Sequence, residues 1–343
     1  MQVGLVGKPS SGKSTLFNAM TLLDAAMASY PFTTIEPNKG TGFVRVECVD
    51  KEFGKQCHPR TGFCENGIRY VPVEVIDVAG LVPGASEGRG KGNEFLSDLS
   101  KADVLIHVVD ASGSTNEEGQ TVALGSHDPL KDVRFLEEEI DLWFDGILKK
   151  NFKKFGKSTT ESKAQLLKNM ASTLSGIGAN EHDCNLALFK AGLSEKKTQQ
   201  WTDADIRSFA TALRKVSKPI VIAANKVDLP GADKNVGRIR QEFPHLMVFG
   251  CSAISELTLK RGNKEGLLKY LPGSKEFTAL KELSETQKKG LDYIRHHVLE
   301  KFGNTGVQEL LDRTVFEALS YLAIFPGGTK KLEDSQGRTL PVC

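Results

Sequence analysis

Two periodicities alternate along the chain. Short apolar runs bounded by turn residues predict strands from Gln2 to Val6, Gly42 to Val46, Val71 to Val78, Val104 to Val109, Ile220 to Ala224 and Met247 to Cys251. Helical spacing falls between them. It begins with Thr15-Leu16-Phe17-Asn18-Ala19-Met20, directly after the first strand and its loop. Strands separated by helices predict an α/β fold, a doubly wound and mainly parallel sheet with helices on both faces. The last two strands are set apart from the first four by more than a hundred residues of helical pattern, too many for a loop. Asp128-Pro129 has the form of an N-cap with proline in the first turn, and Val133, Leu136, Ile140, Phe144, Ile147 and Leu148 follow at spacings of three and four. Leu166, Leu167, Met170 and Leu174 predict a second helix ending near Gly176 and Gly178, and Ile206, Phe209, Leu213 and Val216 a last one. A helical hairpin or small bundle inserted into the sheet domain is the simplest packing.

Beyond Ser252, helical patterns are expected around Leu267-Leu268, through Leu291, Ile294 and Val298, and through Leu310, Leu311, Val315, Phe316 and Leu319. From Tyr321 the chain predicts one strand and a turn-rich tail. The expected organisation is therefore residues 1–115 as the first part of the sheet domain and 116–215 as the helical insertion. Residues 216–322 form its second part with C-terminal helices, and 323–343 a β-rich fragment too short to bury a core.

Composition narrows the class. At 343 residues, 39% hydrophobic and 26% charged, with 45 Lys+Arg against 43 Asp+Glu, the chain is globular and carries a net charge of only +2. Any nucleic-acid contact must therefore rest on a local patch. No apolar run approaches a membrane span and the N-terminus carries no charged leader, so a cytoplasmic protein without membrane contact, monomeric by expectation, is predicted. Six cysteines are too sparse for a disulfide scaffold.

The strongest chemical signal is Gly7-Lys8-Pro9-Ser10-Ser11-Gly12-Lys13-Ser14, followed by Thr15, between a strand and a helix. Gly7 and Gly12 let successive N–H groups face a phosphate at the positive end of the helix. Lys13 then reaches the outer phosphates and the Ser14 hydroxyl is placed for Mg²⁺. Asp77-Val78-Ala79-Gly80 ends a buried strand, with Asp77 expected to hold magnesium through water and the Gly80 N–H to approach the terminal phosphate. In Tyr30-Pro31-Phe32-Thr33-Thr34-Ile35-Glu36, Thr34, with Thr33 second, is expected to complete the magnesium shell.

Asn225-Lys226-Val227-Asp228 follows the fifth strand. Asp228 is placed to accept from guanine N1–H and the 2-amino group, Asn225 to brace the phosphate loop and reach the base, and the Lys226 stem to lie along the base plane. In Cys251-Ser252-Ala253, the Ala253 N–H is expected to donate to the guanine carbonyl, with Ser252 beside it.

These five segments in this order resemble translation-factor-type GTPases. The longer stretches Tyr30 to Asn38, Asp77 to Ala85 and Glu87 to Leu96 resemble the YchF/Obg-like GTPases, and the run Leu105 to Ser114 with the helical insertion is similar to their archaeal branch. The resemblance implies a GTP-binding domain, a helical insertion and a C-terminal TGS domain, here only its opening strand from about Ala323, with ribosome-linked roles. Many relatives carry a degraded base-reading motif and handle ATP. The motif is intact here, which implies GTP. Ser10 stands where potassium-dependent relatives have asparagine, so potassium activation is not expected. Leu81 occupies the position where many GTPases place a water-orienting glutamine, so slow hydrolysis is expected, with Lys13, Thr34 and Gly80 as the catalytic set. The alternative is a ribosome- or RNA-binding module in which nucleotide, even ATP, sets the shape and hydrolysis is incidental. The glycine-rich segment from Leu81 to Asn93, which includes Arg89 and Lys91, would be the switch.

Two weaker signals remain. Cys48, Cys57-His58 and Cys64 could suit zinc, but the spacing is not a paired C-x2-C pattern, and free thiols are the expectation. The basic run from Lys149 to Lys157, with Phe152 and Phe155 interleaved, reads as a solvated helix end, with an RNA-phosphate contact of the insertion as the alternative.

Overall fold

The computed structural model describes residues 1–22, 39–54, 56–59, 61–78, 98–155 and 162–325. Strands β1 (Gln2–Val6), β2 (Lys39–Glu47), β3 (Phe63–Glu65), β4 (Ile68–Asp77), β5 (Val104–Asp110), β6 (Ile220–Asn225) and β7 (Met247–Cys251) form one sheet. Its order is β2-β4-β1-β5-β6-β7, with β3 paired to β4. From β4 through β7 all neighbours are parallel; β2 and β3 run antiparallel to β4. Every residue of β5 and β6 is buried, because helices cover both faces and leave no polar side to the central strands.

Alternation along β5 sorts the two faces. Val104, Ile106 and Val108 join Val3, Leu5 and Val221 against α1 (Lys13–Thr21), α7 (Ala253–Lys264) and α9 (Val307–Arg313). Leu105 and Val109 join Val6 and Ile222 on the opposite face. That face is covered by α2 (Pro129–Phe155), α3 (Lys163–Leu174), α4 (Glu181–Lys190), α5 (Asp203–Ser217) and α6 (Ala232–Glu242). The insertion thus has no core of its own: Leu136, Phe144, Met170, Leu188, Phe209 and Leu213 share one apolar cluster with the sheet. Asp128 accepts from the Leu130 N–H at 3.3 Å and starts α2, Ser162 caps α3, and capping boxes at Asn180/Asp183 and Thr202/Asp205 start α4 and α5. Arg214 of α5, 2% exposed, pairs with Asp141 at 2.7 Å and Glu137 at 3.1 Å on α2 and locks the two helices together.

Two expectations are corrected. Leu268 is not helical: α7 ends before Gly266, whose φ of 64° starts a turn, and Leu268–Lys269 (β8) pairs antiparallel with Thr278–Ala279 (β9). Tyr321 to Phe325 form no strand, and Leu322 is 82% exposed with no partner strand among the described residues. The rest of the 323–343 fragment lies outside the described residues. Before it, α8 (Glu285–Ile294) runs on through a π-helical turn (Arg295–Leu299) to Glu300–Phe302.

Candidate nucleotide-binding site

Parallel register brings the candidate residues to one edge. Leu5 lies beside Asp77, Val6 beside His107, Asp110 beside Asn225, and Asn225 beside Cys251, so β1, β4, β5, β6 and β7 all end together. β1 sits where the chain order reverses, between β4 and β5, which is where open α/β sheets form their crevice.

The loop after β1 is shaped by close approach. A Cβ on Gly7 would lie 2.6 Å from the Val108 carbonyl oxygen, and one on Gly12 would overlap the Asn225 side chain. Gly12 and Ser10 adopt left-handed φ values of 93° and 62°. Lys13 opens α1 and its ammonium pairs with Asp77; the Ser14 hydroxyl lies 3.4 Å from the other Asp77 oxygen. Pro9 and Ser10 are exposed at the loop tip, and Thr15 is half-buried behind it.

The Lys8 side chain takes a different course from that of Lys13. Its side chain is buried and its ammonium is held by Asp132 of α2 at 2.7 Å and by the Thr115 carbonyl at 2.8 Å, so only its backbone faces the crevice. Asp132 is held in turn by His127 at 2.8 Å. This chain ties the phosphate loop to the first turn of the insertion. A cavity of about 340 Å³ lies alongside, lined by Gly7, Lys8, His107, Asp132, Phe135 and Leu136.

His107 is 3% exposed and its buried Nδ1 has no hydrogen-bond partner. Burial, with the Lys8 ammonium adding to it, pushes this imidazole down to about 3. The unfolded side chain titrates near about 6.5, so the folded state resists a proton that the unfolded chain takes up. The stability His107 confers is therefore complete above pH 6.5 and is lost as pH falls toward 3, at up to about 1.4 kcal/mol per pH unit. Urea unfolding of wild type and His107→Leu at pH 7, 6 and 5 checks this: the variant should show the shallower loss, and equal slopes would contradict it.

The segment from Asn225 to Asp228 is braced from both sides. Asn225 donates to the Ser11 carbonyl at 3.1 Å and accepts from the Ala253 N–H at 3.0 Å, joining the phosphate loop to the start of α7. A guanine carbonyl would therefore have to share the Ala253 N–H with Asn225. Ser252 is fully buried, with its hydroxyl capping α7 through Ser255 and its N–H on the Thr305 carbonyl. Lys226, at φ 67°, reaches across to Asp110 at 2.9 Å and the Ser114 hydroxyl at 3.3 Å. Asp228 has a buried Oδ1 without a partner among the described residues, while its carbonyl is held at 2.8 Å by the Tyr293 hydroxyl.

Three contributors had no part in the sequence reading of the site. Asp110 is fully buried and accepts from the Ser112 N–H and from the Ser112, Ser114 and Thr115 hydroxyls as well as Lys226. Burial pushes its carboxyl up, but these hydrogen bonds outweigh it and hold the group below its usual range. A strand-ending aspartate followed by three hydroxyl residues in five was the available signal. Asp132 and Tyr293 act across long sequence separations and left none. Thr33, Thr34, Gly80, Leu81 and the segment to Asn93 lie outside the described residues.

The doubly wound sheet with this glycine loop between β1 and α1 defines the P-loop GTPase class. Family models agree: one described as 50S ribosome-binding GTPase matches residues 2–133, and one described as the G4 motif-containing domain of the Obg-like GTPase YGR210-like matches residues 223–327. A GTP-binding protein of Methanocaldococcus jannaschii is 45% identical over 340 residues, covering 99% of this chain and 85% of that protein. The ribosome-binding ATPase YchF of Bacillus subtilis is 30% identical, covering 86% and 74%. The crystal structure of a GTP binding protein from Pyrococcus horikoshii superposes with a TM-score of 0.76 at 36% identity, covering 99% and 84%. The chain belongs to the YchF/Obg-like family of GTP-binding proteins.

Proposed function

We propose that this protein binds Mg·GTP, hydrolyses it slowly to GDP and phosphate, and acts as a nucleotide-dependent switch on the ribosome in the cytoplasm. The observation that carries the guanine assignment is Asp228. A buried carboxylate oxygen with no partner among the described residues, three positions past the end of β6, is costly unless a ligand donates to it. Guanine supplies two adjacent donors there; adenine does not. Asn225 couples this reader to the phosphate loop through Ser11.

The donor set suits magnesium. The Ser14 hydroxyl and Asp77 carboxylate lie side by side, so Ser14 would bind the ion directly and Asp77 through water, with Thr34 completing the shell. The ion would supply charge neutralisation at the β- and γ-phosphates. Lys13, released from Asp77, stabilises charge on the transferring phosphoryl group, the N–H groups of Gly7 to Thr15 cradle the phosphates, and the Gly80 N–H meets the terminal one. With Leu81 in place of a polar side chain, no water-orienting group comes from that position, which supports slow intrinsic turnover.

The match of residues 2–133 to the ribosome-binding GTPase family and the likeness to the ribosome-binding ATPase YchF support the ribosomal role, and the Lys8–Asp132 ion pair supports a route from nucleotide to insertion. The same ion pair favours a second reading, in which the insertion binds ribosome or RNA and the nucleotide only sets its pose. On α2, Lys149 is paired with Asp145 at 2.8 Å, which suits a solvated helix face; the side chains of Lys153 and Lys154 and all of Lys157 lie outside the described residues. Single-turnover GTP hydrolysis with and without ribosomes separates the two readings. Strong stimulation supports the switch, and negligible turnover in both supports the module. Among the described residues no helix is long and apolar enough to cross a membrane.

A further inference from the structure

The chain leaves β2 at Cys48 and returns in β4 through an excursion that includes a 3₁₀ turn (Val49–Phe53) and β3. This excursion has little apolar support: Phe43, Phe63, Ile68 and Tyr70 form a small separate cluster. Such a segment ordinarily needs a staple to hold one shape.

Cys48, Cys57 and Cys64 are far apart in spacing but converge in space, with their three Sγ atoms all within 4.8 Å of one another. Cys48 and Cys57 are buried and Cys64 half-buried. Asp50 joins them. It is 5% exposed, its Oδ2 accepts from the Cys57 N–H at 3.2 Å and lies 3.6 Å from the Cys64 sulfur, and its Oδ1 is buried without a partner. Four tetrahedral zinc bonds, with Zn–S near about 2.3 Å, place thiolate sulfurs about 3.8 Å apart, so the three thiols need only a small closure. A disulfide, at about 2.05 Å, would use two of them and strand the third.

We propose that Cys48, Cys57, Cys64 and Asp50 form a structural zinc site that clips the excursion between β2 and β4. Three thiolates and one carboxylate around Zn²⁺ leave two negative charges, and the Arg69 guanidinium, 1% exposed and in contact with the Cys57 sulfur, offsets one of them. Cys64 pairs with Arg69, eight residues from Asp77 along β4, which at a strand's rise is about 26 Å from the magnesium residues. The site is therefore independent of the nucleotide.

The test uses the full chain, wild type and Cys64→Ser, with Asp50→Asn as a second variant that keeps all thiols. Zinc is measured by elemental mass spectrometry after purification, and chelator-treated protein is titrated with Co²⁺. The expected result is one zinc per chain, a fall in melting temperature on chelation that zinc restores, and a thiolate-to-cobalt charge-transfer band with tetrahedral visible bands. In Cys64→Ser the charge-transfer band should weaken, and in Asp50→Asn the visible bands should shift, while both variants still bind GTP as wild type does. Substoichiometric zinc with no charge-transfer band would overturn the proposal, as would loss of two titratable thiols to a disulfide.

Discussion

Asp228→Asn lowers GTP affinity by a factor of about 10² to 10³ and leaves ATP affinity nearly unchanged. The carboxylate is expected to accept two hydrogen bonds from guanine, and bonds to a charged group contribute about 1.5–3 kcal/mol each. Asparagine can accept one, and its amide then faces the second donor with a donor of its own. Among the described residues Oδ1 is buried and unpartnered, so none of them holds the carboxylate in the ligand's stead. The Tyr293 hydroxyl holds the Asp228 backbone and should keep the substituted side chain in place, so the loss is chemical and not a local collapse. Xanthosine triphosphate, with a carbonyl where guanine has its amine, should bind the variant better than the wild type. Competition titrations with the three nucleotides check this; an unchanged GTP affinity would remove Asp228 from the base site.

Lys13→Ala should abolish measurable single-turnover hydrolysis, a loss of at least about 10² to 10³-fold. The ammonium is the one side-chain cation of the phosphate loop directed into the crevice, since Lys8 is held by Asp132 and Thr115. Its removal also leaves Asp77, 14% exposed, facing the phosphates without a counter-charge, so triphosphate affinity should fall more than diphosphate affinity. Lys8→Met, by contrast, should spare phosphate affinity to first order and act on the pose of the insertion. Filter binding of GTP and GDP to both variants separates the two lysines. Equal losses would mean that Lys8 reaches phosphate after all.

Much of this site was legible in the chain because parallel strands carry their chemistry at their ends. The glycine loop, Asp77 and the Asn225 to Asp228 segment each follow a β-branched run, and the register that aligns those runs aligns the residues. What escaped reading was tertiary. Lys8 lies in the glycine loop, and nothing local shows that Asp132, far along the chain, is folded against its ammonium. Ser252 also starts α7 with its hydroxyl, which the strand-end pattern does not show. The helix α4 leaves little trace in the sequence because its buried side is Cys184, Ala187 and Leu188, too small an apolar stripe to stand out, and Leu268 suits a helix as well as a strand because two adjacent leucines fit either period. The three thiols were legible as candidate zinc ligands, but their spacing does not show that a strand end, a loop and a hairpin bring the sulfurs together.

The central claim is that the base reader is intact and selects guanine. Direct competition of GTP, GDP, ATP and ADP for the purified protein tests it in one measurement. The account predicts that GTP and GDP displace a labelled guanine nucleotide at concentrations at least about a hundred-fold below those at which ATP and ADP do. Equal displacement by ATP would contradict it.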